Sequence, residues 1–154
     1  MAPVDLAELV GVYEAREGLE WVAARLAAAH QARGLRRRLL DILTQHEQVA
    51  AAGDFTRHVV LDAEFHRAIR QAAESRLIES MLDDIQDRVV IAMRSTSVRG
   101  GMHQAVADHR RIFEAVAAGD VAGAGRAASD HIARLTALLR ASAVTATSET
   151  QRLT

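Results

Sequence analysis

One aspartate and three histidines in this sequence have the residue types and spacing of a metal site. Asp62 and His66 are four residues apart, so on a helix they lie on the same face, one turn apart. His109 and His131 lie ten and eleven residues on either side of a Gly-Asp pair at 119–120. If that pair joins two antiparallel helices, the two histidines lie at nearly the same height. We therefore predict that one carboxylate and three imidazoles converge inside a helical bundle.

A divalent metal, with zinc preferred, is the expected cofactor of such a site. Neutral imidazoles and a carboxylate suit Zn²⁺, Ni²⁺, Mn²⁺ or Fe²⁺, and the chain contains no cysteine to supply thiolate ligands or disulfides. Four protein ligands could close a tetrahedral, purely structural zinc site. A six-coordinate metal would leave positions for water or a chelating carboxylate, or for hydrolysis through a bound hydroxide. No general base at a defined spacing and no phosphate-binding glycine loop accompanies the ligands.

The positions of these residues within apolar stripes strengthen the metal interpretation. Asp62 and His66 interrupt a core-facing row with steps of three and four residues: Phe55, Val59, Asp62, His66, Ile69 and Ala73. A buried carboxylate without a partner costs several kcal/mol, so it pairs or binds a metal. His109 and His131 take inward positions in similar rows of two later helices. The other four histidines are interpreted as structural or exposed: His30, His46, His58 and His103.

The rest of the sequence predicts the helices that position this site. The chain has 154 residues, 49% hydrophobic and 25% charged, which suits one globular domain. Apolar residues at helical spacing predict an all-α antiparallel bundle of about six helices. The expected ranges are 5–30, 35–52, 55–73, 102–118 and 120–143, with a fourth helix between Ser75 and about Arg94.

Two Gly-Asp pairs, at 53–54 and 119–120, predict helix junctions, because Gly suits the left-handed position after a helix and Asp suits the N-cap of the next. The segment from Ser95 to Gly101 is rich in small polar residues and is either a lid or a simple solvent loop. Residues 1–143 are expected to form the domain, and residues 144–154 a disordered tail.

Charged residues in the first helix offer a group for an anionic ligand. Arg16, Glu17 and Glu20 interrupt its apolar stripe. They are either edge charges in salt bridges, or Arg16 points inward to bind an anion. A small organic acid could bind the metal through its carboxylate, with Arg16 or Arg94 holding its other end.

Charge and hydropathy bear on the surroundings of the protein. The net charge is −1, and the run over 36–38 is interpreted as a solvated helix face rather than a phosphate-binding patch. The N-terminus lacks the basic and apolar regions of a signal peptide. No apolar run approaches the ~20 residues of a spanning helix. We expect a soluble, cytoplasmic protein with no membrane partner.

With these residues placed, the chain resembles the effector-binding FCD domain of FadR-type regulators in the GntR family of bacterial transcription regulators. The resemblance covers about residues 9–143. It is carried by Val-Tyr-Glu-Ala-Arg over 12–16, Leu-Asp-Ala-Glu-Phe-His-Arg-Ala-Ile over 61–69, Asp-His-Arg-Arg-Ile-Phe-Glu-Ala-Val over 108–116 with Ala-Gly-Asp over 118–120, and His131.

The resemblance implies a sensor rather than an enzyme. In that family the equivalents of Asp62, His66, His109 and His131 bind a divalent metal beneath a pocket for small carboxylates. Ligand binding there alters how a dimer presents its DNA-binding domains. Such regulators carry an N-terminal winged helix-turn-helix, whereas here the first effector-domain helix begins almost at Met1. We therefore expect a homodimer that binds a small carboxylate and contacts DNA only through a domain absent from this chain. A metal-dependent hydrolase or lyase, and a structural dimerisation module with a closed zinc site, are the alternatives.

Overall fold

The described part of the chain forms six α-helices in the computed structural model, which confirms the all-α antiparallel bundle. The structure describes residues 6–95 and 101–152, with side chains over 7–94 and 101–142. The helices are α1 (Leu6–His30), α2 (Leu35–Ala52), α3 (Phe55–Ala72), α4 (Arg76–Ser95), α5 (Gly101–Ala117) and α6 (Val121–Arg152). Within the described ranges, none of them is both long and apolar enough to cross a membrane.

The helix boundaries agree with the sequence periodicity except at the C-terminus. There α6 continues to Arg152, beyond residue 143 where the apolar pattern predicts its end. The division into a domain over 1–143 and a disordered tail over 144–154 stays a prediction. Most of the proposed lid, residues 96–100, lies outside the described residues.

Both Gly-Asp pairs form the predicted helix junctions. Gly53 and Gly119 have φ values of 72° and 69°, in the left-handed region that favours glycine. The carboxylates that follow cap the next helices: Asp54 accepts a hydrogen bond from the Arg57 amide at 3.0 Å, and Asp120 accepts one from the Gly123 amide at 2.8 Å. The second junction makes α5 and α6 an antiparallel hairpin.

Contacts between helices show the antiparallel order. In the α1–α6 pair, Glu14 contacts Arg140 near one end, whereas Arg25 lies against Gly125 near the other. In the α2–α3 pair, Arg38 donates to Gln71 at 2.9 Å, and His46 contacts His58 at 2.7 Å. In each pair, residues with rising numbers on one helix contact residues with falling numbers on the other, so the two helices are antiparallel.

Two clusters of buried apolar side chains form the core. The larger includes Leu39, Leu43, Phe65, Ile69 and Ile112. The smaller includes Leu9, Val12, Tyr13, Val89, Ala92, Ile132 and Leu139. Phe65 of the larger cluster stacks on the ring of His109, and Ile132 of the smaller cluster directly follows His131. The candidate ligands thus occupy a polar region that borders both apolar clusters.

Candidate metal centre

The four predicted ligands converge at the centre of the bundle. Asp62 and His66 lie on α3, His109 on α5 and His131 on α6, and all four are buried. Each offers one ligand atom, and these atoms lie within 4.8 Å of one another. The ring centroid of His109 lies 5.0 Å from that of His66 and 4.9 Å from that of His131. The structure therefore brings together all four side chains; their role as ligands stays a prediction.

Each histidine of the group has a buried Nε2 atom without a hydrogen-bond partner among the described residues: His66, His109 and His131. His109 Nε2 lies 3.4 Å from Asp62 Oδ1 but makes no hydrogen bond with it. Buried polar atoms are nearly always satisfied, so three nitrogens without a hydrogen bond in one place need an explanation. Lone pairs that converge with a carboxylate can bind a divalent cation, and this donor set suits zinc. The residues present therefore fit a metal ion.

Protonation favours the same chemistry. Burial lowers the pKa of His109 well below its usual value, and neighbouring imidazoles lower it further. Burial also lowers the pKa of His131, against the opposing effect of Asp108. For Asp62, burial alone would raise the pKa, but His66 and Arg16 outweigh it and the pKa is lowered. At neutral pH His109 and His131 thus offer neutral imidazoles and Asp62 an ionised carboxylate, the forms that bind metal.

Asp108 orients the ring of His131. Its Oδ2 lies 3.0 Å from His131 Nδ1, and because an ionised carboxylate only accepts, Nδ1 carries the hydrogen. The opposite nitrogen of the neutral ring then keeps its lone pair toward the other ligands. Arg134 donates to the same oxygen at 2.7 Å, and Gln104 donates to Oδ1 at 3.0 Å. Burial alone would raise the pKa of Asp108. The hydrogen bonds from His131, Gln104 and Arg134 outweigh this effect and hold the pKa far below its ordinary range.

Glu20 has the corresponding position beside His66. Its Oε1 lies 3.2 Å from His66 Nδ1 and 3.4 Å from Arg16 Nε. Burial opposes ionisation of Glu20, but the charges of His66 and Arg16 lower its pKa to about 2. Arg16 is 3% exposed and Glu20 2% exposed. Arg16 and Glu20 thus form a salt bridge, as the first interpretation expected, but they are buried rather than at the edge of the helix.

A cavity of about 230 Å³ adjoins the candidate ligands. Asp62 and His131 form part of its wall, together with the cationic side chains of Arg16 and Arg134. Arg16 Nη1 is buried without a hydrogen-bond partner in the described part of the chain. The rest of the lining is mainly apolar: Tyr13, Phe55, Met93, Met102, Ala105, Leu135 and Leu138. A buried, unpartnered guanidinium nitrogen in such a wall is suited to an anion.

Arg94 is placed differently from Arg16. It is exposed near the end of α4 and is not among the described residues that line the cavity. Its predicted contact with an effector stays a prediction. Arg134, which the sequence pattern did not single out, is the second arginine at the cavity wall.

Two histidines interpreted as structural or exposed are buried beside the site. His46 and His58 form a pair with a 2.7 Å contact, and the His46 ring lies 5.4 Å from that of His109. His30 and His103 are exposed, as that interpretation allows.

Sequence reasoning missed the neighbours that orient the ligands. Asp108 entered the sequence analysis only as the first residue of the motif over 108–116, and Glu20 only as one of the charges that interrupt the apolar stripe of the first helix. A carboxylate directly before a candidate ligand, and another on an otherwise apolar helix stripe, were signals that could have found them.

Three comparisons with known proteins agree on the family that this chain resembles. The FCD domain profile matches residues 11–134. The HTH-type transcriptional regulator LutR of Bacillus subtilis (strain 168) is 28% identical over 125 residues, which cover 77% of this chain and 56% of LutR. The solved structure of Streptococcus agalactiae GntR has a TM-score of 0.73 at 23% identity, covering 87% of this chain and 60% of that one. The second likeness shows the fold alone, and the chain spans less than two thirds of either relative.

Proposed function

The chain belongs to the FCD domain family, and from that premise we propose that it is the sensing domain of a GntR-type regulator. It binds a small carboxylic acid at a divalent metal held by Asp62, His66, His109 and His131. The family and its regulator relatives support a regulatory, effector-binding role and agree with the prediction that the chain is not an enzyme. DNA contact and a cytoplasmic location are part of the same proposal, the former through a domain outside these 154 residues.

The observation that carries the proposal is the group of unpartnered nitrogens beside an anion-binding wall. One ligand atom from each of the three histidines and from Asp62 lies within 4.8 Å of the others, and the Nε2 atoms of these histidines are buried without a hydrogen bond among the described residues. The adjoining cavity, at about 230 Å³, is smaller than the roughly 300–1,000 Å³ of pockets for drug-sized ligands. It therefore suits an acid of a few carbons.

The bound metal would supply Lewis-acid attraction for a carboxylate oxygen. Zn²⁺ is our preferred ion, with Ni²⁺, Mn²⁺ and Fe²⁺ as alternatives, because imidazole and carboxylate ligands suit all four. The cavity reaches Asp62 and His131, an arrangement that favours an open site over a closed structural zinc.

Arg16 and Glu20 offer a route from ligand to helix position. Glu20 on α1 contacts both Arg16 and His66, and His66 lies on α3. An acid that binds Arg16 would compete with Glu20 for the guanidinium group. We propose that this competition shifts the population between two arrangements of α1 against α3.

The outer face of α4 is our candidate for the dimer interface. Leu77, Met81 and Ile91 lie within one side of this helix and are 70%, 45% and 40% exposed. Grouped apolar side chains at such exposure are typical of an interaction surface. A second copy of the chain would bury them.

Metal content is the first test of the proposal. We expect about one equivalent of Zn²⁺ by mass spectrometry in untagged, zinc-loaded protein, as for a four-ligand site. The His109→Ala variant should lose it, whereas His103→Ala, which alters an exposed histidine, should retain it. Melting curves of the zinc-loaded protein across a panel of small organic acids should then show stabilisation by at least one acid, lost in Arg16→Met.

Each result has a different meaning for the proposal. Wild-type protein without metal under any loading condition would refute the four-ligand site. Bound metal without a response to any acid would instead favour the structural zinc module.

A further inference from the structure

A pair of buried histidines, His46 and His58, lies beside the candidate metal centre, with the His46 ring 5.4 Å from that of His109. His46 Nε2 and His58 Nδ1 are 2.7 Å apart, and their ring centroids are 4.7 Å apart. His46 is fully buried, and its other nitrogen, Nδ1, has no hydrogen-bond partner among the residues with described side chains. His58 is one of the residues that line the cavity.

The contact between the rings requires one donor and one acceptor. Burial lowers the pKa of both imidazoles, that of His46 to about 4, so each ring is neutral at pH 7 and carries one hydrogen. If His58 donated from Nδ1, the hydrogen of His46 would lie on Nδ1, buried without an acceptor. If His46 instead donates from Nε2, its Nδ1 carries only a lone pair and no hydrogen. A buried N–H group without an acceptor is rarer than a buried acceptor without a donor, so donation from His46 to His58 is favoured.

This arrangement fixes the side of His58 that faces the ligand. With Nδ1 accepting from His46, the hydrogen of His58 lies on Nε2. Because Nδ1 is turned to His46, Nε2 is the nitrogen left for the cavity. We infer that His58 is a specificity-determining residue, which donates a hydrogen bond from Nε2 to a second acceptor oxygen of the bound acid.

The position of His58 on α3 indicates where that second oxygen lies. His58 and Asp62 are four residues apart on the same helix, which separates them by roughly 6 Å along its axis. An acid with one carboxylate near Asp62 thus needs its second oxygen about one helical turn away. A short dicarboxylate meets that requirement, and the monocarboxylate of the same length does not. This inference rests on the proposed function, since it assumes that an acid binds the metal.

The tautomers can be measured directly in the wild-type chain. Long-range proton–nitrogen correlation NMR of zinc-loaded, ¹⁵N-labelled protein at about pH 7 distinguishes the two neutral forms of each imidazole. We expect hydrogens on Nε2 of both His46 and His58. A hydrogen on Nδ1 of His58 would overturn the inference, because Nε2 would then accept rather than donate.

Ligand preference gives a second test, by calorimetric titration of zinc-loaded protein with succinate and with butyrate. We expect succinate to bind about tenfold more tightly, as for a hydrogen bond to a charged group. In His58→Leu that preference should disappear through weaker succinate binding, while unchanged butyrate binding shows that the variant is folded. Leu40→Ala, an exposed position on α2, is the control and should keep the preference.

The outcomes separate this inference from the proposed function. Equal affinities for the two acids, or a preference retained in His58→Leu, would overturn the role of His58 and leave the metal-bound carboxylate intact. Failure of both acids to bind zinc-loaded wild type, with no other acid in the panel stabilising it, would overturn the proposed function and this inference with it.

Discussion

Replacing Asp108 by Asn tests whether a side chain that is not itself a ligand holds the metal centre in order. The substitution keeps the size of the side chain but removes its charge and one of its two acceptor oxygens. In the wild type, Oδ2 accepts from His131 Nδ1 at 3.0 Å and from Arg134 Nε at 2.7 Å, while Oδ1 accepts from Gln104 at 3.0 Å and from Arg111. An asparagine can accept on only one of these sides.

The size of the effect follows from these contacts. The asparagine oxygen should face His131 and Arg134, because the long, exposed side chain of Arg111 can turn away to solvent. The hydrogen of His131 then stays on Nδ1, and the loss is that of a charged acceptor. Outer-shell carboxylates of this kind contribute roughly 10–100-fold to metal affinity, which corresponds to about 1.4–2.7 kcal/mol.

Zn²⁺ affinity would be measured by competition with a chromophoric chelator, with circular dichroism to confirm the fold. Asp130→Asn is the matched control, since Asp130 is exposed on α6 next to His131; its affinity should stay within about twofold, as for a surface change. Asp108→Asn protein that is folded and binds Zn²⁺ as tightly as wild type would refute the orienting role of Asp108.

Three further predictions concern pH, assembly and packing. Because the pKa of His46 is about 4 in the folded state and about 6.5 in the unfolded chain, only the unfolded state gains a proton as the pH falls below 6.5. The free energy of unfolding of the metal-free protein should therefore drop between about pH 6.5 and 4, by about 3 kcal/mol from this residue. Urea unfolding should show a smaller drop in the free energy of unfolding for His46→Gln than for wild type. An equal drop in the two proteins would contradict the low pKa of His46. The double variant Leu77→Glu with Met81→Glu should convert a dimer into a monomer, as measured by light scattering. Leu40→Glu, at an exposed apolar site on α2, should leave the dimer intact. A double variant that remains dimeric would exclude the outer face of α4 as the dimer interface. In Gly125→Val, the new Cβ would lie 2.8 Å from Arg25 Cγ and from Trp21 Nε1, so we expect a loss of about 1–3 kcal/mol in thermal unfolding. The control is Gly11→Ala, whose new Cβ would have no atom within 4 Å. It should be as stable as wild type or more stable by up to about 1 kcal/mol. Equal melting temperatures for the two variants would contradict this account of the α1–α6 contact.

The sequence by itself determined the helices and their junctions. Helical periodicity and the positive φ required at Gly53 and Gly119 depend on neighbours along the chain, so they can be recognised from local patterns. The convergence of His109 and His131 could also be predicted, because a short turn between antiparallel helices fixes their relative height. The C-terminal extent of α6 could not, since its last residues have no apolar stripe to mark them.

Only the tertiary structure decided which side chains share the space between helices. Glu20 meets His66, Asp108 meets His131, and His46 meets His58 because of the rotation and offset at which the helices pack. Those quantities result from the fit of all the core side chains together, and no local pattern encodes them. The same packing brings Arg134 rather than Arg94 to the cavity wall. The sequence thus determined the four candidate ligands, while the packing of the bundle decided which residues orient them and which face the ligand.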